Sequence, residues 1–171
     1  SKYPYMQTIL TTFPNEPSCW HELAELYMRQ GEYDKAAHCC EELVLVDPNA
    51  ANNHNRLADC YYSLGCSKGS SGKTGAGGNA GVGGLDAENL LLARQHYAMS
   101  LEREDASQNL HAVYGLAAAA KAIFDCSEAN SSSSSSSGGG GGKSTAHAAA
   151  VNRELLAFSV EKLQSANMNY I

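Results

Sequence analysis

The sequence predicts an all-α solenoid built from antiparallel helix pairs, and two observations support this fold class. First, apolar residues recur at the spacing of one helix face, in the set Trp20, Leu23, Ala24 and Tyr27. Second, the same spacing returns about 34 residues later, in the set His54, Leu57, Ala58 and Tyr61. A pattern with this period is typical of stacked helical units, each of which covers the apolar face of its neighbour.

A first complete helix pair is predicted over residues 17–48. Gly31 occupies the turn between the two helices, and Pro48 ends the unit. The apolar positions of the second helix are Tyr33, Ala36, Cys40 and Leu43. The whole order resembles the tetratricopeptide repeat (TPR), with Ala24 and Cys40 where that family has Gly and Phe. The residues expected to form the core of the repeats are Trp20, Leu23, Ala24, Tyr27, Ala36, Cys40, Leu43, Pro48, Leu57, Ala58, Tyr61, Tyr97 and Gly115.

A second pair is predicted over residues 50–104, with a long insertion between its helices. Gly65 stands where Gly31 stands in the first pair and is expected in the turn. Residues 66–84 are dominated by Gly and Ser, a composition that favours a disordered loop. Such a loop costs only about 1–2 kcal/mol because closure entropy grows with the logarithm of length. The second helix then carries Tyr97 in the position of the consensus Phe.

The third pair is predicted over residues 106–165, split by a second Gly/Ser-rich linker over residues 127–145. Gly115 takes the small-residue position that Ala24 and Ala58 take earlier in the chain. Before the first pair, residues 3–13 have the pattern of the second helix of another repeat. The chain therefore reads as a solenoid fragment, with further repeats expected upstream.

Composition excludes several classes of function. The net charge of −6 comes without a basic stripe, so nucleic acid is not an expected partner. No apolar run approaches the about 20 residues of a membrane span. The six cysteines form no C-x-x-C pair and are expected to be reduced structural thiols.

No residues indicate catalysis, a cofactor or a metal. Residues 67–74 end like a phosphate-binding loop, but Ser67 stands where the motif requires Gly. Residues 142–144 fail in the same way, with Ser137 in the Gly position. The six histidines are distributed over separate predicted helices, which favours solvated surface contacts. We therefore expect no enzyme here.

Protein binding remains, and the first helices of the pairs are expected to line a concave face. The candidate partner-binding residues on that face are His21, Glu25, Met28, Arg29, Asn55, Asp59 and Tyr62. Residues Ala112, Leu116 and Ala119 are expected to continue it. These side chains form either ordinary solvated helix faces or a peptide groove, acidic at one end and apolar at the other. Glu25 and Asp59 would repel the terminal carboxylate that chaperone-binding repeats hold.

A more specific resemblance lies in residues 20–27 and 33–43. Their Glu22, Glu25 and the pair Glu41–Glu42 go beyond what a generic repeat requires, and the stretch resembles the subunit 2 family of the endoplasmic reticulum (ER) membrane protein complex. The convincing part of the resemblance covers about residues 14–65, including Asn55–Gly65, and weaker similarity continues across residues 86–125 and near the end of the sequence. The Gly/Ser tracts depart from this family, which has shorter connections there.

The resemblance implies a non-catalytic scaffold on the cytoplasmic face of the ER membrane. Its implied partners are the cytosolic portions of membrane-embedded subunits and a second soluble subunit, in a hetero-oligomer that inserts transmembrane segments, including those of tail-anchored proteins. The alternative is a TPR interaction module of another cytosolic assembly or a cochaperone.

Overall fold

A computed structural model of the chain describes residue 8 and residues 16–67, 85–105, 108–133 and 142–168, with only the backbone for 127–133, 142–149 and 165–168. These ranges contain six helices, and the predicted helix over 3–13 lies outside them except for the helical Thr8. The helices are α1 (Pro17–Gln30), α2 (Tyr33–Val46), α3 (Ala51–Ser67), α4 (Ala87–Arg103), α5 (Leu110–Ser133) and α6 (Gly142–Met168). Each packs against the next, and α3 also contacts α5, which is the contact pattern of a solenoid.

The turn between α1 and α2 is set by one glycine. Gly31 adopts the left-handed conformation at φ 74°, which residues with a Cβ rarely adopt, and its N–H donates to the Met28 carbonyl at 3.1 Å. The next N–H, of Glu32, donates to the Tyr27 carbonyl at 3.0 Å. The chain reverses within two residues, so α1 and α2 lie as an antiparallel pair.

The turn from α2 to α3 is tied by side chains. The Asn53 amide, buried on α3, donates at 3.2 Å to the Leu43 carbonyl, which also accepts the Asp47 N–H at 3.0 Å, and thereby ties α3 to the end of α2. Pro48 lies in this turn and is exposed, so the prediction that it belongs to the core is wrong. Proline cannot continue the helix at this position, because it has no backbone N–H to donate.

Most of the predicted repeat core is buried. The fully or almost fully buried members are Leu23, Ala24, Ala36, Cys40, Leu43, Leu57, Ala58 and Tyr97. Trp20, Tyr27 and Tyr61 are partly buried and pack against the cluster formed by α1, α2 and α3. The small residues Ala24 and Ala58 are 0% exposed, which shows that helices meet closely at this repeat position.

Gly115 occupies the same small-residue position on α5. A Cβ built there would overlap the Tyr97 ring atoms Cε1 and Cζ. Tyr97 is 3% exposed and therefore has little room to move. The contact between α4 and α5 thus depends on the absence of a side chain at residue 115.

Gly65 differs from the expectation that it forms a turn. It lies inside α3, and a Cβ there would meet Leu90 Cγ at 2.7 Å and the Asp86 carbonyl oxygen at 3.3 Å. The Asp86 N–H donates to the Gly65 carbonyl at 2.9 Å. The glycine therefore allows the start of α4 to approach α3, and it does not reverse the chain.

The predicted linkers match the structure only in part. Helix α3 includes Cys66 and Ser67, and residues 68–84 of the predicted linker lie outside the described residues. Helix α5 continues to Ser133 and α6 begins at Gly142, so both ends of the 127–145 linker are helical and its expected bounds are wrong. A growing helix gains one hydrogen bond for each residue added, and this cooperativity carries α5 into the serine tract. The division of the chain into repeats stays a prediction.

Candidate functional site

An ion-pair ladder links α1 to α3 on the predicted concave face. The Arg29 guanidinium lies 3.1 Å from Glu25 Oε1, one turn away on α1. The second oxygen of Glu25 lies 3.6 Å from Arg56 Nη1 on α3. Glu25 therefore pairs with two cations of its own chain, Arg29 and Arg56.

These side chains border an open groove of about 450 Å³ between α1 and α3. His21 and Glu22 complete its polar wall, and Leu26 contributes an apolar surface. Burial, and then the nearby Arg56 cation, lowers the pKa of His21, so this imidazole is neutral at pH 7. The groove thus carries a balanced set of charges, although its sequence suggested an acidic end.

Asp59 is a junction between three helices. Its Oδ1 accepts a hydrogen bond from the Tyr97 hydroxyl of α4 at 2.6 Å, and His111 Nε2 of α5 lies 3.0 Å from both carboxylate oxygens. Burial, and then the adjacent Asp59 charge, raises the pKa of Tyr97, which keeps its hydroxyl a proton donor. Asp59 therefore holds neighbouring helices together and is less available to an outside ligand.

Asn55 is not on an accessible surface, contrary to expectation. It is 7% exposed, and its Nδ2 donates to Asn109 Oδ1 at 2.9 Å. The same Asn109 oxygen accepts the Ala112 N–H at 3.2 Å, so Asn109 caps the start of α5. Asn55 thus fixes the first turn of the next helix pair.

The expected continuation of the concave face along α5 is also wrong. Ala112, Leu116 and Ala119 are 0%, 2% and 0% exposed and pack against Tyr97 and neighbouring apolar residues. The exposed face of α5 carries His111 and Tyr114, the latter 61% exposed. The Asn109 cap and the contact of Gly115 with Tyr97 fix the rotation of α5 about its axis, and neither is visible in the apolar spacing of α5 alone.

The other two predicted groove residues are partly buried. Met28 packs against the core of the first pair. Tyr62 packs against the clusters that α4 and α5 help to form, and burial raises the pKa of its hydroxyl. Sequence reasoning missed Arg56 and His111 as members of this face. Arg56 lies three residues before Asp59, so the two side chains share one face of α3, and this spacing could have identified Arg56 as a member of the concave face.

A pair of histidines lies between α3 and α4, with His54 buried and His96 partly buried. The rings of His54 and His96 stack with centroids 5.5 Å apart, and their Nδ1 atoms are 3.2 Å apart. His54 Nε2 lies 3.0 Å from the Pro48 carbonyl, which only accepts, so this nitrogen carries the proton. In the tautomer with the proton on Nε2, His54 accepts at Nδ1 and His96 donates. Burial, and then the proximity of His54, lowers the pKa of His96.

The described residues contain no group of three or more metal-ligating side chains. Among the buried thiols, the hydrogen bond with Cys60, and then burial, raises the pKa of Cys40. Of the two phosphate-loop decoys, residues 68–74 lie outside the described part of the chain, and residues 142–144 form the first turn of α6. Within the described helices, none combines the length and the apolar character that a membrane crossing requires.

Comparison with known families assigns the first helix pair. The tetratricopeptide repeat family matches residues 17–50, which contain α1, α2 and the turn that follows them. Residues 17–50 form a tetratricopeptide repeat. The fold is accordingly an all-α solenoid of the TPR type, as the sequence predicted.

Curated relatives confirm the narrower resemblance. The ER membrane protein complex subunit 2 of Xenopus tropicalis is 33% identical over 107 residues, which cover 63% of this chain and 29% of that protein. Subunit 2-A of Xenopus laevis gives the same values, and the TPR repeat protein oca3 of Schizosaccharomyces pombe is 26% identical over 118 residues, 69% of this chain and 35% of its own length. The chain thus spans less than a third of the length of the subunit 2 proteins that it resembles.

Proposed function

We propose that this chain is a non-catalytic TPR scaffold that acts as part of an ER membrane protein complex subunit 2. The observation that carries the proposal is the 33% identity over 107 residues, three times the length of the single repeat that the family match covers. Similarity that extends beyond one repeat argues for a common protein and not only for a common repeat. The conserved core positions of a single TPR would not require similarity over this length.

The character of the described surface supports a binding role without chemistry. The charged side chains on the concave face, Glu25, Arg56 and Asp59, are committed to contacts between helices. The pKa of the partly buried His21 lies below its ordinary value because of burial and the nearby Arg56 cation. The proposed role is to hold partner proteins.

The proposed partners are the cytosolic portions of membrane-embedded subunits and a second soluble subunit. The chain would sit on the cytoplasmic face of the ER membrane and attach to it through these partners. Its contribution to the insertion of transmembrane segments, including those of tail-anchored proteins, would be architectural. A solenoid suits this task because its extended surface contacts several partners at once.

Affinity purification of the tagged protein from its native cells in a mild detergent tests the proposal. Mass spectrometry is expected to identify polytopic membrane proteins in stoichiometric amounts beside a second soluble subunit. As a matched pair, Trp20→Ala is expected to abolish recovery by disrupting the first repeat, whereas Leu45→Gln, at a 75% exposed side chain, is expected to retain it. Recovery of soluble chaperones alone with the wild-type protein would refute the proposal.

A further inference from the structure

Helix α4 presents a second apolar stripe in addition to the face that it buries. Its buried face contains Leu90, Ala93 and Tyr97. On an adjacent face of the helix, Leu91, Ala98 and Met99, interrupted by the polar Gln95, border an open groove of about 550 Å³. Its far wall is Leu155 of α6. Leu91 is 40% exposed, so the groove shows apolar surface to solvent.

One cation in this groove has no anionic partner within the described residues. Arg94 is partly buried, and its Nη1 donates to the amide oxygen of Asn152 on α6, which is 2% exposed. Among the described residues, no carboxylate lies within 4.0 Å of its guanidinium. Burial lowers the pKa of Arg94, the mark of a cation that has lost part of its hydration without an opposite charge in return.

The opposite end of the stripe carries an exposed carboxylate. Glu102 lies eight residues after Arg94 on the same helix and borders the same groove. At a rise of about 1.5 Å per residue, the two charges are separated by about 12 Å along the axis. Between them stands the small side chain of Ala98, which lets another helix approach closely.

We propose that the groove between α4 and α6 binds an amphipathic helix of a partner protein, whose apolar stripe carries a carboxylate that pairs with Arg94 and, about eight residues away, a basic side chain that pairs with Glu102. The apolar surface supplies affinity, and the two charges set the direction and register of the bound helix. This inference rests on the proposed scaffold role and names the kind of segment that one of its faces accepts.

Two fluorescent peptides test the inference by anisotropy titration against the purified chain. Both are alanine-rich helices of about five turns with leucines along one stripe; one carries Glu and Lys eight residues apart, and the other carries Gln at both positions. The charged peptide is expected to bind about fivefold more tightly, the size of a partly desolvated ion pair. Arg94→Gln is expected to remove most of this advantage, because the remaining pair with the exposed Glu102 contributes little, and Arg94→Lys is expected to retain most of it.

Matched variants separate the groove from general surface effects. Leu91→Gln is expected to weaken both peptides equally, whereas Leu45→Gln alters an exposed leucine outside the groove and is expected to change neither. Circular dichroism melts check that each variant is folded. Three results would overturn the inference: no binding of either peptide, a charge advantage that is undiminished in Arg94→Gln, or self-association of the chain that Leu91→Gln abolishes, which would assign the groove to a second copy. Any of them, beside intact recovery of membrane subunits by the wild-type protein, would leave the scaffold role standing.

Discussion

Replacing Gly115 by alanine tests whether the packing of α4 against α5 depends on the absence of a side chain. The added methyl group would overlap Cε1 and Cζ of the Tyr97 ring. The ring cannot turn away cheaply, because it is 97% buried and its hydroxyl donates to Asp59 at 2.6 Å. Overpacking of a core site costs about 1–3 kcal/mol, while alanine gains about 1 kcal/mol over glycine in helix propensity. We therefore expect a net loss of up to about 2 kcal/mol in the free energy of unfolding.

Chemical denaturation followed by circular dichroism measures this loss, and a double-mutant cycle assigns it. In a Tyr97→Leu background the ring is gone, so Gly115→Ala is expected to be neutral or stabilising by up to about 1 kcal/mol, the helix-propensity term alone. The Tyr97→Leu single variant supplies the cost of removing the ring and its hydrogen bond. If Gly115→Ala stabilised the protein with Tyr97 present, the close contact between the two helices would be refuted.

Three further predictions concern other contacts. Trp20→Ala removes a partly buried aromatic side chain from the core of the first helix pair. In a denaturant titration we expect the free energy of unfolding to fall by an amount near the lower end of about 3–5 kcal/mol. A loss under about 1 kcal/mol would contradict the assigned packing. Glu25→Gln breaks the ion pairs of Glu25 with Arg29 and Arg56. Because these side chains are partly or largely exposed, we expect the free energy of unfolding to fall by less than about 1 kcal/mol. A larger loss would contradict the assignment of a surface ladder. Burial holds the pKa of His96 below its ordinary 6.5 in the folded chain, so the folded state binds fewer protons and its stability is lost as pH falls below that value. Melting temperatures at pH 7.5 and 5.0 are expected to differ less in His96→Phe than in the wild type; an equal difference would show that the stacked pair with His54 does not contribute.

The sequence predicted the helix pairs because their signals are local. The spacing of Leu23, Ala24 and Tyr27 defines a helix face without reference to any other part of the chain. The turn at Gly31 was equally predictable, since a left-handed residue after a helix favours glycine. Where the same glycine signal recurred at Gly65, the local argument was wrong, because the demand there comes from Leu90 on another helix.

The candidate concave face was predicted less completely, and two of its residues show why. Glu25 lies on the predicted face, and its exposure follows from the amphipathic pattern of α1. Asn55 satisfies the same pattern but is buried, since Asn109, 54 positions later in the chain, recruits its amide. A polar side chain at helical spacing looks the same in sequence whether it faces water or a buried helix cap.

By itself, then, the sequence determined the all-α class, the repeat period and the small residues at helix contacts, since each depends on the geometry of a single helix or on repetition along the chain. Only the tertiary structure decided the rotation of α5, the junction at Asp59 and the second stripe of α4 beside Arg94. These depend on which side chains of distant helices meet, and no local pattern encodes that meeting. The physical reason is that burial and charge compensation belong to the packed assembly of helices, whereas periodicity belongs to each helix alone.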